Sequence, residues 1–230
     1  MNSVNERRSE FAFLLLSGLF LSSLVVCNLI ANKFMTVDLG FKVFVLSAGA
    51  LPYPITFLVT DLLSEVWGRR RANQVVVVGF AVSLFVMLAL WLGAQFPAIV
   101  DSPVPDETYL AVFKNAWRVI AASMTAYLFA QFVDIRLFHF WKNLTKGRHL
   151  WLRNNGSTVV SQFLDSTLVV LVLFWGVKSG NEMWSIICDL WLFKSLVALV
   201  DTPFFYLATS ALRKWTGITG QTTSPDSGTT

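Results

Sequence analysis

Two carboxylates stand inside an apolar stretch, Asp61 and Glu65 in Pro54-Ile-Thr-Phe-Leu-Val-Thr-Asp-Leu-Leu-Ser-Glu-Val-Trp-Gly-Arg-Arg-Arg71. On a helix, Phe57, Asp61 and Glu65 fall at i, i+4 and i+8, so they share one face. An unpaired charge in lipid costs several kcal/mol, roughly 2.5–3.5 on insertion scales. Such acids therefore need partners, a watered path, or a place at the membrane boundary. Glu65, just ahead of Gly68 and three arginines, suits a hydrated boundary as well as a path. Other polar groups interrupt later apolar runs: Arg118, Gln131 and Asp134, then Gln162 and Asp165, then Lys194 and Asp201. The chemistry such residues serve by default is a substrate or ion pathway. The plainer alternative is salt bridges that fix helix packing. Packing needs one pair, whereas Asp61, Arg118, Asp134, Asp165 and Lys194 make a larger set.

Helical spacing groups these residues. Tyr127, Gln131 and Asp134 share a face, as do Thr158, Gln162 and Asp165, and as do Lys194 and Asp201. Arg118 points away from Gln131, roughly 220° around an ideal helix. Counting helix rise puts Arg118, Asp165 and Lys194 about 10–17 Å into their spans, near the midplane, with Asp61 and Asp134 nearer one end. Carboxylates, carboxamides, cations and aromatic rings together suit a flat, polar heteroaromatic ligand. Rings stack on such a ligand and its edges take directional hydrogen bonds.

The elements that must hold these residues are membrane-grade. The chain has 230 residues, 55% of them hydrophobic, with 9 Trp and 20 Phe and a mean hydropathy of +0.60. That composition excludes an ordinary soluble domain and leaves room for one membrane domain. The net charge of +4 sits in short basic loops, a pattern of membrane orientation rather than nucleic-acid binding. Cys27 and Cys188 lie in apolar runs and read as small hydrophobes. His139 and His149 have no cysteine near them, so no metal or other cofactor is expected. The first apolar run ends in no small-residue cleavage site and reads as a retained span, not a signal peptide.

The expected fold is all-α and polytopic, with six transmembrane helices. Residues 1–10 form a cytoplasmic N-terminus, 11–214 the six-helix domain, and 215–230 a tail that is Thr/Ser/Gly-rich from Gly217 and disordered. The first span runs over 11–31, with Asn28 and Asn32 on one face near its end. Residues 36–43 alternate around a glycine and predict a short extended hairpin between the first and second helices. From Pro54 to Trp67 a helix is about 21 Å long, too short for about 30 Å of hydrocarbon. The backbone ahead of it must complete the crossing, broken at Pro52 and Pro54 and shielded from lipid. A tight turn is expected over 68–73, then spans at 74–95, 109–138, 155–177 and 183–212. Basic residues crowd the N-terminus, 68–73, 139–153 and Arg213-Lys214, which puts both termini in the cytoplasm. Gln131-Phe-Val-Asp134 and Gln162-Phe-Leu-Asp165 repeat one pattern on consecutive spans, as internally repeated transporters do.

Tyr53-Pro54, Thr60-Asp61 and Glu65-Val66-Trp67-Gly68 resemble the signature of the vitamin uptake transporter family, the queuosine precursor transporters. Asn28-Leu29-Ile30-Ala31-Asn32-Lys33, Arg118 with Ala122-Ser123 and Gln131 to Asp134, and Gln162 to Asp165 agree in order, so the resemblance covers about 24–212. It implies import of 7-deazaguanine bases such as 7-cyano- or 7-aminomethyl-7-deazaguanine across a bacterial cytoplasmic (inner) membrane, for tRNA queuosine salvage. The expected substrate-binding set, from these stretches and the helix faces together, is Asn28, Asn32, Phe57, Asp61, Glu65, Arg118, Tyr127, Gln131, Asp134, Gln162, Asp165 and Lys194. The expected partners are that small deazapurine and the lipid bilayer, without nucleic acid. A homodimer is compatible with the sequence. Two other classes stay open. One is the substrate-binding membrane subunit of an ATP-driven uptake complex, since the chain has no G-x-x-x-x-G-K-[ST] of its own. The other is an intramembrane enzyme, against which stands the lack of G-x-S-x-G and H-E-x-x-H.

Overall fold

The computed structural model describes residues 3–218 apart from 32, 41, 114, 115, 147 and 177, and the side chains of 34, 45, 116–123, 150 and 173 fall outside that description. Asn32, the side chain of Arg118 and the tail beyond 218 therefore lie outside the described residues.

The chain is all-α apart from one hairpin: α1 Ser3–Leu29, β1 Phe34–Asp38, β2 Val43–Ser47, a 3-10 turn Ala48–Ala50, α2 Tyr53–Trp67, α3 Arg69–Gly93, α4 Asp106–Phe113, α5 Ala116–Leu144, α6 Leu150–Phe174 and α7 Gly180–Thr216. The strands pair antiparallel, with Phe34 opposite Ser47 and Asp38 opposite Val43. Gly40 turns the hairpin at φ +80, where a side chain would be strained, and its N–H donates to Asp38 Oδ1 at 2.8 Å. Lys42 pairs with Asp189 of α7, and Phe44 meets Phe193 of α7 with ring centroids 5.5 Å apart. The hairpin is thus tied to α7.

The expected break ahead of the central helix is present. Ser47 Oγ accepts from Gly49 N and donates to Ala31 O at 2.6 Å, which turns the chain into a single 3-10 turn. Gly49 sits so close to α1 that a Cβ there would lie 2.4 Å from Cys27 O, hence the glycine. Pro54 lies in the first turn of α2, where its missing N–H removes no helical hydrogen bond. α2 ends at Gly68, whose φ of 86 and ψ of 166 belong to a region essentially reserved for glycine. One residue suffices to reverse the chain. The turn expected over 68–73 is corrected to Gly68 alone, because α3 starts at Arg69.

Other boundaries move as well. α1 begins at Ser3, so the charged N-terminus is already helical. The span expected over 109–138 is covered by α4, Asp106–Phe113, and α5, Ala116–Leu144, on either side of residues 114 and 115, which lie outside the described residues. α6 starts at Leu150 and α7 runs for 37 residues with Pro203 inside it.

α2 is the buried centre, with Thr56, Phe57 and every residue from Val59 to Val66 buried. Its Phe57, Val59 and Leu63 pack with Phe20 and Leu24 of α1, Val75 and Val76 of α3, and Tyr127 and Ile135 of α5. Leu62 adds a second core with Phe138 and Phe205. Among the described residues, three helices, Ser3–Leu29, Arg69–Gly93 and Gly180–Thr216, are long and apolar enough to cross a membrane by length and composition. α3 exposes Val77, Leu84, Phe85, Leu88 and Trp91, a surface suited to lipid rather than water.

Candidate functional site

A narrow pocket lies among α2, α6, α7 and the 3-10 turn. Each helix contributes one stripe at helical spacing. α2 presents Tyr53, Pro54, Phe57, Leu58 and Asp61; α6 presents Asn154, Thr158 and Gln162; α7 presents Phe193, Lys194, Val197, Ala198 and Asp201. Asp61 and Gln162 are 1% and 2% exposed, so their polar atoms depend on protein or ligand partners.

Those atoms divide into spoken-for and open. Lys194 Nζ donates to Asp165 Oδ2 at 2.5 Å and lies 4.4 Å from the centre of the Tyr53 ring. The cation of the pocket wall is therefore paired and seated on an aromatic face. Asp61 Oδ1, Gln162 Oε1, Asn154 Oδ1 and the Tyr53 hydroxyl have no hydrogen-bond partner among the described residues. Three acceptors and one hydroxyl thus border one pocket flanked by Tyr53, Phe57 and Phe193. The arrangement fits a flat ligand whose edge carries N–H donors.

A second layer stands behind the wall. Gln131 Nε2 bonds Thr60 Oγ1, and Asp134 Oδ1 accepts from Ser161 Oγ at 2.8 Å. Tyr127 packs edge-on against Tyr53 and Phe57, 5.7 and 5.9 Å between centroids. These residues position the pocket stripes and do not line the pocket themselves.

Residues 47–208 match the family described as "Putative vitamin uptake transporter". The chain belongs to this family. The matched stretch runs from the end of β2 into α7 and contains every pocket-lining residue. A "Probable queuosine precursor transporter" of Bacillus subtilis (strain 168) is 29% identical over 161 residues, 70% of each chain. A "Queuosine precursor transporter" of Escherichia coli (strain K12) is 24% identical over 163 residues, 66% of this chain and 67% of its own. Both are named as transporters rather than enzymes. No solved structure matches the chain.

Of the residues expected at the site, the structure brings Phe57, Asp61, Gln162 and Lys194 to the pocket wall. Tyr127, Gln131, Asp134 and Asp165 lie one layer behind. Asn28, half-buried on α1, is not part of the wall. Glu65 is elsewhere altogether. Its carboxylate accepts from Arg153 of α6 at 2.8 Å, from Lys142 of α5 at 3.3 Å and from Arg213 of α7. It is neither hydrated nor in the pocket, and ties α2 to three other helices. Lys142 and Arg153, expected in a loop, are helical and turned inward. Asn154, Tyr53 and Phe193 were missed from the expected set. Asn154 precedes Thr158 and Gln162 by steps of four, but the expected span began one residue after it.

Proposed function

We propose that the chain imports queuosine precursors, 7-deazaguanine bases, across the bacterial cytoplasmic membrane through the pocket between α2, α6 and α7. The observation that carries this reading is the acceptor-rich pocket wall. A 7-deazaguanine presents a lactam N–H and a 2-amino group side by side, which one carboxylate accepts together. Asp61 takes that edge, Gln162 and Asn154 take the remaining polar atoms, and Tyr53 and Phe57 flank the ring. Lys194 serves the ligand carbonyl while remaining bonded to Asp165. The names of the two relatives support the same substrate class.

The test uses cells unable to make the precursor, with queuosine in tRNA as the readout at limiting precursor supply. The wild-type chain should restore the modification. Asp61→Asn, present at normal membrane abundance, should lower its rate of appearance more than tenfold, because an amide cannot accept two adjacent donors through equivalent oxygens. Restoration at the wild-type rate by Asp61→Asn would remove the site assignment. Failure of the wild type would remove the substrate.

The topology belongs to the same proposal. α1, α2 with the backbone ahead of it, α3, α5, α6 and α7 make six spans, with both termini cytoplasmic. The exposed basic residues Arg69–Arg71, Lys146, Arg148 and Lys214 then face the cytoplasm. Single cysteines at 102 and 146 in a chain freed of native cysteines should be labelled by an impermeant thiol reagent at 102 and not at 146 in intact cells. The reverse pattern would invert the orientation.

A further inference from the structure

Asp61 on α2 and Asp134 on α5 are neighbours beside α6: Thr60 and Gln131 next to them are hydrogen-bonded, Asp134 accepts from Ser161, and Thr158, one turn from Ser161, lines the pocket with Asp61. Both acids are almost fully buried, at 1% and 0% exposure. Ser161 donates to Asp134 Oδ1, and Thr158 of α6 is close to both acids. Asp61 Oδ1 and Asp134 Oδ2 nevertheless find no donor among the described residues. Two ionised carboxylates only accept; their contact becomes favourable when a proton sits between them.

The surrounding charges are committed elsewhere. Glu65, one turn along α2, is held by Lys142, Arg153 and Arg213. Asp165 of α6 is held by Lys194 of α7. Asp201 of α7 belongs to the pocket wall and adds a further acid. The nearby phenols of Tyr53 and Tyr127 are neutral at physiological pH. Among the described residues, no lysine or arginine forms an ion pair with Asp61 or Asp134.

We propose that the Asp61–Asp134 pair is a proton-loading site that couples import to the proton gradient, one proton travelling with each substrate molecule. This rests on the import reading above. Asp61 also faces the pocket, so one side chain meets both the substrate and the proton. From the outer side, a proton from hydronium enters through the pocket at Asp61 and passes to Asp134, whose hydroxyl then donates to Asp61. Asp61 stays ionised, so both its oxygens accept the substrate donor edge while one of them also accepts from Asp134. On the cytoplasmic side the proton leaves to water. Two like charges now oppose each other, the carboxyls part, and the pocket loses its acceptor geometry.

The experiment reconstitutes the purified full chain in phosphatidylcholine–phosphatidylglycerol vesicles with labelled 7-cyano-7-deazaguanine and a trapped pH dye. Exchange of labelled for unlabelled substrate, at equal pH on both sides, reports translocation alone; its absence would sink the import reading. With exchange present, an outside-acid step of about one pH unit should accumulate substrate up to about tenfold, the limit for one proton per molecule. Adding substrate should also acidify the vesicle interior. Exchange without accumulation or acidification would overturn the coupling, and accumulation driven by sodium at equal pH would reassign it to a metal cation. Asp134→Asn should abolish acid-driven accumulation and flatten the pH dependence of exchange. Wild-type accumulation by that variant would also overturn the proposal. The dye signal of the wild type decides the matter if the variant fails to fold.

Discussion

Glu65→Gln is expected to cost about 3–5 kcal/mol of stability, the range for removing one partner of a buried ion pair, and to leave little folded protein in the membrane. The Glu65 side chain is 2% exposed and is shared by Lys142, Arg153 and Arg213. Arg153 is itself buried and also lies against the Phe138 ring, 5.6 Å from its centre. Taking away the one anion sets three cations against each other, with Arg153 and most of Lys142 shut off from water while Arg213 stays partly exposed. A glutamine oxygen still accepts a hydrogen bond, but the charge is gone. Glu65→Asp keeps the charge on a shorter stem and should recover part of the loss. The measurements are membrane abundance and thermal unfolding in detergent, followed by tryptophan fluorescence. A wild-type unfolding temperature for Glu65→Gln would mean that the cluster is solvated and holds nothing.

The second large effect is expected at the pocket, from the Asp165–Lys194 pair. Asp165→Asn leaves Lys194 without its counter-charge in a half-closed apolar setting. It should cost about 3 kcal/mol by the same physics and abolish uptake. Adding Lys194→Met removes the stranded cation and replaces it with a side chain of similar length. The double variant should regain most of the lost stability, so that the two changes are strongly non-additive. Uptake should stay below about one tenth of wild type, since the pocket has lost its only lysine donor among the described lining residues. A double-mutant cycle on unfolding temperature and initial uptake rate separates the two roles. Recovery of both quantities would reduce the pair to helix packing.

Short-range physics made part of this architecture legible before the structure. The hairpin followed from alternation around Gly40, and the break at Pro52 and Pro54 followed from a helix too short to cross. Asp61 and Gln162 stand out by polarity in apolar runs, and Phe57 by lying one helical turn before Asp61. The remainder depends on contacts far apart in the chain. Nothing local to Glu65 reveals that Arg213 reaches it, and Arg153 looks like a loop arginine until α6 is seen to begin at Leu150. Tyr127 shares a face with Gln131 and Asp134, yet three aromatic neighbours claim it for the core. The polar spacing that marked Asn154 was hidden by an end-point placed one residue late. Helix ends are set by capping and packing, not by hydropathy.

α7 carries Lys194 of the pocket and Arg213 of the Glu65 cluster on one continuous helix, with Pro203 between them. Proline removes the hydrogen bond to the carbonyl four residues earlier, so stiffness is lowest near Leu199 to Pro203. From there to Arg213 the arm is about 15 Å long. A swing of about 10° at the proline moves the arginine by roughly 2.5 Å, comparable with the length of an ion pair. The two halves of α7 thus form a crank whose short throw is matched to making or releasing the latch at Glu65.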